Sequence, residues 1–425
     1  MKTITLKYRK LILVFNTLLL CSLGYSQTTQ TYNSTGSFTV PAGVSSVQVQ
    51  AWGAGGAGGG NTFTSDGAGG GGGGAYSANP AVLVAPGTYT VTVGTAGYGN
   101  AGAAGGNGSD SWFNTVTTVL AKGGNGGNPP ASGNGGIGGT GGSSALGFGT
   151  TKYSGGNGGT GRNSNTGHGG PGATSAGTGS NGLSGAAVWS TTNAPTPVPA
   201  GAGAGAAAGS ATNDGFSNTS VLGGGGGGAG DKNSAGSPST IGGDGADGQI
   251  ILTWICPTYA LTAAASNNGP FCNASASTIT LRSTSLPSGT YNVTYNLSGA
   301  TSATGNTATM TFIAGSPGTG TFSTSSLNIG STTVTITNLS SGAGCNTVIS
   351  SFNTTTVSII APATAVAGTD MTGCSTSSSF NVTAGSSATN YTSVLWTSSG
   401  TGTFTNANYC ITTSTRRKIC YGNCS

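Results

Sequence analysis

Short runs in which apolar and polar residues alternate are separated by long stretches with almost no bulky side chains. In residues 37–52, Val47, Val49 and Ala51 alternate with Gln48, Gln50 and Trp52 behind a Pro41-Ala42-Gly43 turn, which predicts two strands. A turn at Pro86-Gly87 leads into another alternating run that ends at Val93, and residues 111–120 and 249–254 read as two more. Further on, residues 277–282, 291–297, 307–313, 331–339 and 350–360 are strand-like, with turn clusters between them. Two last runs, 379–383 and 392–396, follow a linker that begins at Ala361-Pro362-Ala363. These strand-like runs predict an all-β chain.

Between the first strands lies a region, 53–248, in which about a third of the residues are Gly. Its runs follow a Gly-Gly-X triplet, as in Gly123-Gly124-Asn125-Gly126-Gly127 and the segments 135–142 and 155–159. A period of three matches an extended left-handed helix with three residues per turn and no internal hydrogen bonds. Two Gly per turn leave bare ridges where such helices can approach and exchange backbone hydrogen bonds. The third position (Asn125, Ile137, Thr140, Asn157) then projects outward. The expectation is a bundle of polyglycine II-type helices framed by strands. Collagen is excluded, because its Pro-rich pattern is missing. The competing reading is a disordered glycine-rich linker. Against it stand the kept triplet phase and the punctuation of the region by Trp52, Trp112, Trp189 and Trp254.

The expected organisation is a signal peptide at 1–26, a glycine-rich domain at 27–255, an immunoglobulin-like β-sandwich at 256–360 and an incomplete sandwich at 361–425. The signal rests on a basic segment ending at Lys10, an apolar run 11–23, and small residues at Gly24 and Ser26. That run is too short for a membrane span, and no later stretch is long and apolar enough. The mature chain is therefore read as exported and not integral to a membrane. Leu20 before Cys21 does not suit a lipid-attachment signal. Residues 409–425 gather three Cys with Arg416-Arg417-Lys418 after a nearly charge-free chain, so the ending is expected to be truncated or frame-shifted.

Composition narrows the function. Of 425 residues 83 are Gly, only 4% are charged, none is Glu and one is His, where an ordinary domain is about a quarter charged and about 7% Gly. The formal charge of +5 comes from the two ends; the five basic residues between them (Lys122, Lys152, Arg162, Lys232, Arg282) face seven Asp, a net of about −2. Scattered single cations do not make a phosphate-binding surface, so nucleic acid is a poor partner. Acid–base or nucleophilic catalysis needs titratable groups within hydrogen-bond reach. With His168 alone in a glycine-rich segment and the Asp dispersed, no catalytic residue is named and a non-enzymatic chain is expected.

Seven Cys remain after cleavage, and in an exported chain these read as disulfides. A Cys272–Cys345 bridge within one sandwich is expected; the Cys420/Cys424 pair has metal-like spacing but lacks partner ligands. Residues 242–250 look like a single calcium-binding nonapeptide, with Asp244 and Asp247 as ligands, though Gln249 sits where an apolar residue belongs. A turn into the next strand is the other reading, and no other cofactor is implied. Five aromatics in glycine-rich loops, Phe63, Tyr98, Phe148, Tyr153 and Phe216, are candidate sugar-stacking contacts, with core packing as the alternative for each.

The motifs at 36–56, 86–94 and 242–254 resemble the glycine-rich domain of bacterial surface proteins and phage tail adhesins. That resemblance covers about half the chain and implies stacked polyglycine helices that display receptor-binding loops. Residues 256–409, most of all 394–408, look like the Ig- and PKD-like repeats of secreted Bacteroidetes proteins linked to gliding and type IX secretion. Together these imply an extracellular or outer-surface adhesin with a β-sandwich stalk, meeting cell-surface glycans, neighbouring cells or solid surfaces. The alternatives are an ice-binding protein and the accessory modules of a truncated secreted enzyme.

Overall fold

In the computed structural model, the described residues are 27–163, 167–186, 193–210, 213–218, 222–230, 239–367 and 386–389. The signal segment, the runs at 379–383 and 392–396, and Trp189 lie outside them. The chain divides into two units: Met1–Pro257 with Gly342–Cys345, and Thr258–Ser341 with Asn346–Ser425.

The first unit contains strands β1 (Gln27–Tyr32), β2 (Gly36–Thr39), β3 (Ser46–Trp52), β4 (Tyr76–Leu83), β5 (Thr88–Thr92), β6 (Ser111–Phe113), β7 (Val119–Ala121), β8 (Thr151–Tyr153) and β9 (Gln249–Ile255). They form a five-stranded sheet, β1-β9-β3-β4-β8, and a four-stranded sheet, β2-β5-β6-β7, with antiparallel pairing throughout. The two strands predicted on either side of Pro41-Ala42-Gly43 thus join different sheets. In β3, Val47, Val49 and Ala51 are buried while Gln48 and Gln50 are half-exposed, as their alternation requires. The sheets pack through Phe38, whose ring lies 5.0 Å from Trp254 and 6.4 Å from Phe113. Another cluster joins the strands to the glycine-rich segments. Trp52 lies 4.9 Å from the Tyr76 ring and donates from Nε1 to the Ala176 carbonyl at 3.1 Å.

The strands run on into the glycine-rich segments, which are ordered and follow a rule of three. Gly67, Ala68 and Gly69 donate their amides to Arg162, Ala229 and Asn128; Gly70, Gly71 and Gly72 donate to Gly159, Gly226 and Asn125; Gly73, Gly74 and Ala75 donate to Gly156, Gly223 and Lys122. Each segment thus bonds to three neighbours in turn and returns to the first after three residues. Segment 53–60 behaves the same way, and both are buried along their length. The contacts are backbone on backbone. A Cβ added at Gly71 would collide with the Gly56 carbonyl, and one at Gly58 with that of Gly227.

In the second unit, β10 (Ala263–Asn267), β11 (Thr278–Ser283), β12 (Gly289–Gly299), β13 (Ala303–Ile313), β14 (Gly318–Ser323), β15 (Gly330–Ser341), β16 (Cys345–Val348) and β17 (Thr354–Ile359) form one antiparallel sheet. Its order is β10-β11-β14-β13-β12-β15-β16, with β17 also on β15. The sheet curls until Phe271, just past β10, bridges Ile359 at the end of β17. The enclosed face carries the fully buried Ile279, Leu281, Tyr291, Phe312, Val334 and Ile336. A short pair, β18 (Thr364–Ala367) with β19 (Ser386–Thr389), follows. The described residues are thus all-β apart from a single 3₁₀ turn at Ser144–Leu146.

The expected Cys272–Cys345 bridge is corrected. Cys345 is bonded to Cys256, the residue after β9, and Cys272 is in a disulfide with a different cysteine. Sequence separation made Cys272 a reasonable mate for Cys345. The fold instead brings Gly342–Cys345 to the first unit, where Gly342 lies against Pro41 and the Trp254 Nε1 reaches the Cys345 sulfur at 3.3 Å.

Candidate functional site

Where a glycine-rich segment lies at the surface, one of its three neighbours is missing and every third amide loses its backbone acceptor. Side chains fill that role. Asp244 Oδ1 accepts the Gly99 amide and Asp247 Oδ1 accepts that of Ala96, both at 2.7 Å. Asn107 and Asp110 do the same for Gly126 and Gly123, and Asp214 and Ser217 for Ile241 and Asp244. Asn157 and Ser154 serve Gly141 and Ser144. In each pair the acceptors are three residues apart, and so are the amides. This explains why Asn, Asp and Ser recur at the third position. It also gives Asp244 and Asp247 a structural employment; among the described residues no three His, Cys, Asp or Glu gather to hold a metal ion.

The five candidate aromatics do not share one site. Tyr98 and Phe216 are 68% and 60% exposed, and they stand on segments that flank residues 241–247 from either side. The half-exposed Ile241 lies on the segment between them. Phe148 is exposed elsewhere, its backbone bridged to Leu120 of β7. Phe63 is half-buried in the turn after Asn61, whose Oδ1 accepts its amide at 2.7 Å. Tyr153 stacks on Tyr76 at 6.3 Å, which is packing at a sheet edge. Burial pushes the Tyr76 phenol above its ordinary 10, while its hydrogen bond from Gln50 pulls the other way.

A cavity of about 650 Å³ opens where the triplet phase is interrupted by Pro129-Pro130. The loop between segments 122–128 and 135–142 supplies Asn128, Pro129 and Asn134, and the neighbouring segments supply Ile137, Arg162 and Asn163. Gly133 turns this loop at a φ of +77°, with open space around the position where a Cβ would sit. The Arg162 Nε is buried without a hydrogen-bond partner. Sequence reasoning passed over this group because Arg162 looked like one more scattered cation; the Pro129-Pro130 break was the available signal.

A family model described as a glycine-rich domain matches residues 28–255, just over half of the chain. The chain belongs to the glycine-rich domain family. The matched residues of the glycine-rich domain run from β1 to β9, so strand-framed bundle and family boundaries coincide. No curated protein matches the chain. No helix among the described residues is long and apolar enough to cross a membrane.

Proposed function

We propose that this chain is a non-enzymatic protein of the cell exterior. In this reading its glycine-rich domain is a rigid platform for binding loops, and the curled β unit is an Ig-like stalk. One observation carries the reading: the bundle is held by backbone hydrogen bonds with a three-residue rotation of partners, the pattern expected of polyglycine II helices. Such a scaffold leaves its loops free of any packing duty. The exposed Tyr98 and Phe216 and the cavity beside Pro129 are surfaces such a platform would display. The Cys256–Cys345 disulfide supports an oxidising compartment, and hence export. Cell-surface glycans, neighbouring cells and solid surfaces are the proposed partners. The intact chain should bind at least one glycan class on an array, or adhere to whole cells; binding to neither removes the adhesin reading.

A second reading has its own observation. The exposed Asn125, Thr140 and Asn157 lie on adjacent segments, joined by the Asn125 amide to the Thr140 carbonyl and the Gly141 amide to Asn157 Oδ1. Such polar rows favour ice binding, although Ile137 interrupts them. Thermal hysteresis of the intact chain decides it, since an adhesin leaves the freezing point unchanged.

A further inference from the structure

We propose that the cavity beside Pro129 binds a short acidic saccharide, with the sugar carboxylate on Arg162. The inference rests on the display reading and names the ligand class of one of its loops. Arg162 is half-buried: its Nε is shut off from solvent and unbonded, while its two terminal nitrogens keep solvent contact and have no partner among the described residues. The terminal nitrogens are therefore the donors that an incoming acceptor can reach. A planar carboxylate suits them best, because the two terminal nitrogens of a guanidinium present N–H donors in parallel to its two oxygens. Among the described residues no carboxylate already takes that place. The one ion pair among the described residues is Lys122 with Asp110. Asp66, whose backbone bridges Asn163, spends its carboxylate on the Gly133 amide at 3.1 Å and the Ser65 hydroxyl at 3.4 Å.

The rest of the lining suits a sugar ring. Asn128 and Asn163 use their amide nitrogens on the Ile137 and Gly133 carbonyls, at 3.4 and 3.2 Å, which leaves both Oδ1 atoms to accept from hydroxyls. The exposed side-chain amide of Asn134 has no protein partner among the described residues and offers both donor and acceptor. Pro129 and Ile137, the latter 68% exposed, provide apolar contact for the C–H face of a ring. A volume of about 650 Å³ is within the range of small-molecule sites. A lone inorganic anion would use Arg162 and leave the amides and the apolar wall unused.

The test is titration of the intact chain with trigalacturonate, galactotriose and a sulfated trisaccharide, followed by calorimetry. Trigalacturonate should bind, more weakly as salt rises, and galactotriose should bind about tenfold more weakly or not at all. R162Q should lose about tenfold or more in trigalacturonate affinity, and N134A, a surface change that keeps the fold, about threefold. Matching circular dichroism melts show that the variants are folded. The proposal is overturned if trigalacturonate does not bind, if R162Q binds it as the parent does, or if only the sulfated sugar binds. In those cases adhesion of R162Q to cells equal to that of the parent leaves the display reading standing. A parent chain that neither binds a glycan nor adheres to cells ends both.

Discussion

At the scale of the residue, the glycine-rich domain inverts the usual logic of a protein core. In the glycine-rich segments the interior is filled by peptide groups, and what matters at each buried Gly is the absence of a Cβ. Gly71→Ala forces a methyl into the Gly56 carbonyl in a segment whose amides are all committed. It should destabilise the first unit by about 3 kcal/mol or more, read from urea unfolding. Gly179, with nothing within reach of an added Cβ, should tolerate alanine to within about 0.5 kcal/mol. Asp244→Ala removes the acceptor for the Gly99 amide and should cost about 1 kcal/mol, whereas Asp244→Asn keeps Oδ1 and should melt like the parent. Calcium should move none of these melts; a calcium-dependent rise lost in Asp244→Asn would return that carboxylate to a metal site.

At the scale of the element, β12 and the chain just before β10 bring Tyr291 and Tyr259 together, their rings 5.1 Å apart and edge to face. Burial pushes the Tyr259 phenol up to about 12 and Tyr291 higher still, where the charge that Tyr259 would carry adds to the shift. The folded state therefore favours the neutral phenols. This stability is fully present below the ordinary pKa of 10 and is lost as pH rises from 10 through 12. The urea midpoint of the second unit should hold between pH 7 and 9 and fall by pH 11. Tyr259→Phe should flatten that fall. Most of these elements were legible from alternation alone: β3, β9, β11, β12, β13 and β15 lie where the pattern puts them. Other strands were hidden for physical reasons. β4 contains Pro80, which reads against a strand, but it sits where the pairing with β3 slips between Val47 and Val49. β8 and β16 are three and four residues long, too short to show a period. The disulfide partner of Cys345 depended on a tertiary approach that spacing does not encode. The cavity was illegible for a related reason: Asn128, Asn134 and Arg162 are brought together by segment order and not by any local motif.

At the scale of the whole molecule, the Cys256–Cys345 bond joins residues 89 apart. By the loss of chain entropy in the unfolded state, its removal in Cys345→Ala should cost about 4 kcal/mol, seen as a lower melting midpoint in non-reducing conditions. Peptide mapping without reductant should recover Cys256 and Cys345 in one linked fragment. The two units also draw on different sources of cohesion: side-chain burial in the curled β unit, and in the other a side-chain core between the sheets together with peptide pairing in the bundle. Unfolding the curled β unit wets apolar groups and raises heat capacity in the ordinary way, about 12–15 cal/mol/K per residue. Unfolding the bundle wets mainly amides and carbonyls, which lower it. Calorimetry should therefore find a total increment well below that expected for a chain of this length. A small increment makes the free-energy curve of the bundle broad and shallow, so the platform would lose little of its strength on cooling, where cohesion based on oil-like side chains fades.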